Sequence, residues 1–450
     1  MFGLDAELKL DLYDTHIYET GCIIYSFSND KTNPSVRWPD VADEQHRLLF
    51  HVDALELGED LARQCVIECF TSNDEDELLG AAYTLASINP NEATGLDAVL
   101  DAYAKEEDDA RLGHFITAFK HGQHPRLGEK LQVFLSHDRP MIRAATIEIF
   151  GYRREGDPRW AWPLLHEKNP LVQHAAILAL ARFGYRGALP AAEQVVLEAG
   201  ETLNEDYLLV LLMLGSTRAL NVCRSACQSA DTVTSKLLVY LAIAGTYQDI
   251  HIVLAAKQYP QAVEGVIQSL GLFGLVAAVP HLLAALKLDS DALRAEAGIA
   301  LEMITGAGLR ETQQRPEKEP EETNISDILS QGVGEAAGND EAQATQPPKA
   351  APRMIEIDRP CTAYDTWNQW WQNNAARFDP NQRWRKGQPF DLGACITEMA
   401  APHSHYHDRE RAYLELVIRS GQHIGFEPDW FIPRQLKAIQ DWESWWKASH

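Results

Sequence analysis

"LVQHAAILALARFGYRGALPAAEQVV" (residues 171–196) is the stretch on which the fold turns. An apolar run with small residues at Ala175 and Ala176 ends at Gly184, a short polar turn follows, and a second apolar run opens at Pro190. Together with the preceding "KNP" the run has apolar residues at i, i+3, i+4 and i+7, the mark of an amphipathic helix. Glycine just past a helix can adopt the left-handed conformation that ends it. Proline suits the first turn of the helix that follows, as at Pro163, Pro190 and Pro280.

The same unit recurs. "EIFGYRREGDPRWAWPLL", "LMLGSTRALNVCRSA", "AIAGTYQDIHIVLAA" and "GLFGLVAAVPHLLAAL" share its order of apolar helix end, glycine, turn and new helix. The glycines Gly151, Gly184, Gly215, Gly245 and Gly274 are 33, 31, 30 and 29 residues apart, and Gly306 closes the series. Two helices per period of about 30 residues predict a stacked helical array. Ala144, Ala145, Ala175 and Ala176 would let neighbouring helices approach closely. Trp160 and Trp162 read as packing between successive repeats. The array is expected over residues 45–306, after an acidic N-terminal segment at 1–44.

The composition of residues 307–354 changes to Glu, Gln, Pro, Ala and Gly with few large apolar residues, which predicts a flexible linker. Residues 355–450 return to amphipathic patterning. "TAYDTWNQWWQNNAARF" places Tyr364, Trp367, Trp371 and Phe378 on one helical stripe, with Asn and Gln opposite. Trp442, Trp445 and Trp446 mark another helix. These aromatics are expected to form the core of a small Trp-rich helical region capping the C-terminal end of the array. The fold class is therefore all-α: a right-handed α-solenoid with a small Trp-rich helical tail.

"LVQHAAILALARFGYRGALPAAEQVV" and "AVPHLLAALKLDSDALRAEAGIALEMITG" resemble short HEAT repeats like those of phycobilin lyases. The tail adds a second resemblance. Ile304, Thr305 and Gly306, then Trp370, Trp371, Asn374, Phe378, Arg383, Gly387, Gln388 and Glu415, resemble a family of uncharacterised proteobacterial HEAT-repeat proteins found in type VI secretion gene clusters. The resemblance implies genomic company rather than an activity. The acidic N-terminus and the long insert depart from the family pattern.

Charge is the strongest functional signal. The chain carries −25 overall, and residues 1–110 hold 25 acids against 6 bases, or −19, leaving −6 for the rest. Such a field repels phosphate backbones, so no nucleic-acid partner is expected. It attracts and steers a basic protein. Two acidic runs stand out: Asp74, Glu75, Asp76 and Glu77, and Glu106, Glu107, Asp108 and Asp109. They lie 32 residues apart, one repeat period, and each precedes a predicted second helix. Acids there are favoured by the helix dipole at roughly 0.3–1 kcal/mol each. Stacked repeats would bring the two runs to about 10 Å, forming an acidic ridge for a basic partner.

Chemistry-bearing motifs are scarce. GxSxG, HExxH, Walker, GxGxxG and kinase signatures are absent. The string His403, His405, His407 and Asp408 and the pair His121 and His124 read as surface and turn residues, not metal ligands. Cys65 and Cys69, like Cys223 and Cys227, share a helix face and read as reduced buried thiols. No catalytic residue, cofactor or metal is assigned. An acidic start without a basic n-region and no apolar run of spanning length give the cytoplasm as the expected location and no membrane contact. The expected function is a protein-binding module, in particular an immunity protein neutralising a cognate type VI secretion toxin such as a nuclease. The alternatives are an adaptor or chaperone loading an effector, and a lyase-like enzyme.

Overall fold

The structure is a computed structural model describing residues 6–29, 37–88, 94–197, 204–316 and 354–449. Helices dominate it. Three open the chain: α1 (Ala6–Asn29), α2 (Val41–Leu57) and α3 (Glu59–Glu68). The row that follows is α4 (Glu75–Leu85), α5 (Thr94–Lys105), α6 (Asp109–His121), α7 (Leu127–Leu131), α8 (Pro140–Arg153), α9 (Ala161–Leu165), α10 (Pro170–Arg182), α11 (Leu189–Leu197), α12 (Glu205–Met213), α13 (Thr217–Ala226), α14 (Ser235–Ala244), α15 (Ile250–Ala256), α16 (Val263–Phe273), α17 (Val279–Ala285) and α18 (Asp291–Thr305). Each even-numbered helix from α4 to α16 packs on the next even-numbered one. The odd-numbered helices lie beside them, as α9 does on α10 and α17 on α18.

Local chemistry starts these helices. Asp74, Asp108, Asn169, Asn204, Thr234 and Ser290 accept hydrogen bonds from first-turn N–H groups of α4, α6, α10, α12, α14 and α18. Pro140 and Pro170 open α8 and α10, where no N–H is needed. The glycines end them in two ways. Gly184, Gly215, Gly274 and Gly306 have φ of 68°, 88°, 64° and 57°. Gly151 instead lies inside α8, and Arg154 takes the left-handed cap at φ 53°. Its role is a close helix crossing: a Cβ there would come to 2.8 Å from the Cα of Ala179 on α10. Gly245 caps α14 in an extended conformation.

Two features add to the sequence expectation. Within the expected N-terminal segment, 1–44, the described helix α1 packs closely on α4. A Cβ at Gly80 would lie 2.0 Å from the carbonyl oxygen of Ile17. The segment expected as linker begins with a strand, β1 (Arg310–Pro316), paired antiparallel with β2 (Met354–Pro360) in the register Arg310↔Pro360 to Pro316↔Met354. Arg359 holds this ribbon to the array, with its Nε 2.9 Å from Glu311 and its Nη1 2.9 Å from Asp291 of α18. The remainder of that segment, residues 317–353, lies outside the described residues. The fold is thus mostly helical with two small β-ribbons, the second being β3 (Trp384–Arg385) with β4 (Gln388–Pro389).

The tail adds α19 (Tyr364–Asn374), α20 (Leu392–Ala400), α21 (Tyr406–Ser420) and α22 (Ile432–Ser449). Its aromatics pack on one another: Phe378 lies 5.3 Å from Trp371 and 4.8 Å from Trp384. Trp367 and Trp442 are fully buried, and the Trp367 indole donates to the Cys361 carbonyl at 2.6 Å.

The tail does not stop at the C-terminal end as a cap. Lys386 N–H donates to Met303 O of α18 at 2.6 Å. Arg383 reaches Phe273 O and Leu272 O of α16, both at 3.0 Å. Arg419 reaches Ala242 O at 2.8 Å and Gly245 O at 3.2 Å, at the end of α14. Further along, Arg186 donates to Gly421 O at 2.9 Å and Arg154 to Glu427 at 2.7 Å. Ile432 N–H meets Gln45 of α2 at 2.9 Å, and the Trp38 indole meets Ala401 O at 3.0 Å. The tail therefore runs from α18 back to α2, meeting the C-terminal ends of α18, α16, α14, α10 and α8 and the N-terminal end of α2.

At its centre Glu415 is buried among Arg383 (3.1 Å), Arg385 (2.7 Å) and Arg419 (2.8 Å), and Arg385 also pairs with Glu398 at 2.8 Å. Burial alone would raise the Glu415 carboxyl, but the three guanidiniums outweigh it and hold it at about 2. Glu415→Gln is expected to lower unfolding free energy by about 3–5 kcal/mol, because it strands buried guanidiniums. A depressed carboxyl stabilises the fold above its unfolded value and loses that contribution as pH falls. The wild-type chain should lose stability between the ordinary glutamate value of 4.5 and about 2, and chemical denaturation of the Gln variant should show a flatter profile in that window.

Candidate protein-docking site

The two acidic runs sit where sequence periodicity expects them, at the N-termini of α4 and α6. Their geometry is repeated: Asp74 and Asp108 share φ −80° and ψ 124°. Asp74 Oδ1 accepts from Asp76 N at 2.9 Å and Glu77 N at 3.1 Å. Asp108 Oδ1 accepts from Ala110 N at 2.9 Å and Arg111 N at 3.0 Å. Two of the eight acids are thus helix caps.

The others divide by exposure. Glu75, Glu107 and Asp109 are exposed, as are the capping Asp74 and Asp108. Glu77 accepts a hydrogen bond from Ser72 Oγ at 2.5 Å and is half-buried. Asp76 is covered by α1: a Cβ at Gly21 would lie 1.8 Å from the Asp76 carbonyl oxygen. Burial, with the neighbouring Asp74 and Glu75 carboxylates, pushes its carboxyl up, while a hydrogen bond to the Cys22 thiol pulls it down.

Arg111 was not singled out by sequence reasoning, and it interrupts the ridge. Its Nε pairs with Glu106 at 2.9 Å, and its Nη groups donate to Ser72 O and Phe70 O, each at 2.7 Å. Glu106 is consequently neutralised in place, and its carbonyl also receives Arg139 Nη1 at 2.5 Å. The spacing Glu106 to Arg111 was the available signal, since one turn beyond the cap an arginine can fold back over it. The exposed acids of the two runs reduce to Asp74, Glu75, Glu107, Asp108 and Asp109.

Other residues marked in the sequence fall into structural roles. His121 is buried with its ring 5.4 Å from Tyr152, and His124 Nδ1 accepts from Arg126 N at 3.1 Å. His403, His405 and His407 are exposed around the start of α21, and Asp408 pairs with Arg411 at 2.9 Å. Among the described residues no group of three or more His, Cys, Asp and Glu side chains could hold a metal ion. All seven cysteines are free thiols. Trp160 packs on Phe150 at 5.0 Å and Trp162 on Tyr185 at 6.2 Å. Of the tail residues singled out in the sequence, Gly387, Arg383 and Glu415 lie at the seam between tail and array: Gly387 N–H bonds Ile304 O at 3.0 Å, and Arg383 meets Glu415. No helix among the described residues is long and apolar enough to cross a membrane.

No family model matches the chain, and no curated protein matches it. Among solved structures, the crystal structure of an engineered protein matches over 63% of this chain and 88% of its own, at 14% identity and a TM-score of 0.26. A likeness that low lends no weight to a fold or function.

The caps and the free acids separate experimentally. Asp74→Ala and Asp108→Ala should each lower stability by about 1 kcal/mol, read by urea denaturation. Glu75→Gln, Glu107→Gln and Asp109→Asn should each fall within about 0.5 kcal/mol of wild type.

Proposed function

We propose that the stack of helix pairs is a HEAT-like right-handed α-solenoid whose N-terminal end binds a basic protein. The observation that carries this is the charge asymmetry, −19 over residues 1–110 against −6 over the remainder. A field of one sign at one end of a long molecule orients an incoming partner of opposite sign and raises its association rate. The tail supports the same assignment, because it occupies the edge formed by the C-terminal ends of the long helices. The exposed acids lie at the opposite, N-terminal ends of α4 and α6.

The resemblance to proteins encoded in type VI secretion clusters narrows the partner. The reading is an immunity protein that holds a cognate toxin inactive, and a basic nuclease domain suits the charge. Co-expression of the chain with the product of each flanking gene tests it. Growth arrest caused by one product and relieved by the chain is the expected outcome. If neither product is toxic, or toxicity is undiminished, the immunity reading fails. A secretion defect on deletion without self-intoxication would point to an adaptor instead. Replacing Asp74, Glu75, Glu107, Asp108 and Asp109 with Ser, Gln or Asn should weaken the complex and flatten the dependence of its Kd on salt.

A further inference from the structure

The first helix pair exposes an apolar face at the free end of the array. α1 and α2 run antiparallel, with Glu19 3.5 Å from Arg47 and His16 Nδ1 2.8 Å from His51 Nδ1. Near the other end, a Cβ at Gly58 would come to 2.8 Å from the Tyr13 ring. Ile17, Ile24, Leu48, Val52 and Leu55 are buried. On the outside, Leu8 is 51% exposed, Leu12 43%, Phe50 64% and Leu57 83%. Leu8 and Leu12 are one helical turn apart, and Phe50 and Leu57 two turns apart, so each pair shares a helix face. The register set by Tyr13 with Gly58 and by His16 with His51 puts Leu12 level with Leu57, and the Phe50 ring lies 6.1 Å from His16. Glu7, Asp11, Asp53 and Glu56 are exposed along the same helices, where the exposed base Arg47 is paired with Glu19.

A terminal unit of a repeat array ordinarily presents a polar outer surface, which keeps the end soluble. Here Leu8, Leu12, Phe50 and Leu57 are exposed among the polar residues. Apolar residues with a charged rim are the anatomy of an interface. The sign of the rim identifies what covers it. A second copy would set −19 against −19, and an acidic partner would be repelled in the same way. We propose that the outer face of α1 and α2 is the apolar anchor for a partner helix that carries an apolar stripe flanked by Lys and Arg. The proposal rests on the reading of the chain as a binder of a basic protein, and adds Leu8, Leu12, Phe50 and Leu57 as its apolar anchor.

Titration of the full chain with three labelled helical peptides of about five turns tests it: one of Leu and Lys in amphipathic order, one with Glu replacing Lys, and one of Ser and Lys. The Leu/Lys peptide should bind, and Phe50→Ser with Leu57→Ser should weaken it about tenfold or more. The Ser/Lys peptide should bind about tenfold more weakly, and the Glu peptide not at all. Asp53→Lys with Glu56→Lys should reverse the preference and admit the Glu peptide, a gain that misfolding cannot produce. Equal affinity of the Phe50/Leu57 variant for the Leu/Lys peptide, or a preference unchanged by charge reversal, would overturn the proposal. So would a dimer in light scattering that Phe50→Ser and Leu57→Ser convert to monomer, because the occupant would then be a second copy. Failure of the co-expression experiment with peptide specificity intact would sink the toxin reading and leave this face standing.

Discussion

The middle of the joint between tail and array is built around one buried carboxylate. Glu415 lies at the centre of Arg383, Arg385 and Arg419, and two of those arginines also donate to carbonyls that end α16 and α14. Helix C-termini leave carbonyls without intrahelical partners and carry roughly half a negative charge. Three guanidiniums against Glu415 and Glu398 leave about one positive charge, and two helix ends at roughly −0.5 each complete the balance. The cluster is therefore near neutral although it is buried. Burying charges without such closure is expensive, which is why the tail's arginines are found against helix ends. Arg409 shows a different solution. It is fully buried, donates from Nε to Met399 O at 2.7 Å, and lies over the Trp38 ring at 4.2 Å and the Phe426 ring at 5.1 Å. With burial as the cause, its guanidinium is lowered to about 9.

Much of the helical architecture was legible because it is written in local rules. Prolines at helix starts and glycines at helix ends act within four residues of themselves, so spacing exposes them. Gly151 shows where that legibility stops. Its place in the series matches the turn glycines, yet what it answers to is Ala179 on the next long helix, a contact that spacing cannot reveal. The ribbon of β1 and β2 was hidden for another reason. Each strand spans seven residues at the edge of a polar stretch, and composition over the whole stretch averages them away.

The candidate site was half legible. Periodicity located both acidic runs at helix starts, and the structure then sorts them by neighbours that are far away in the chain. Asp76 is covered because α1 folds over it, and Glu106 is neutralised because Arg111 turns back. The outer face of α1 and α2 escaped notice because an apolar residue looks the same in sequence whether it is covered or bare. Which of Leu8, Leu12 and Ile17 faces water depends on where α4 packs. The tail's matching residues follow the same pattern: Arg383, Gly387 and Glu415 read as a signature in sequence and turn out to be parts of a joint.

The length of that joint has a mechanical meaning. A stack in which each unit touches only its neighbours behaves as a spring, and small rotations at successive contacts add up to large changes in end-to-end distance. Here a strut is fastened at α18 through Lys386, at α16 and α14 through Arg383 and Arg419, and at α2 through Gln45. Stretching or coiling the stack would have to break these fastenings together. The acidic end is consequently held at a preset curvature, and a partner of the kind proposed would meet a surface with little bending freedom left, and so little entropy to lose on association.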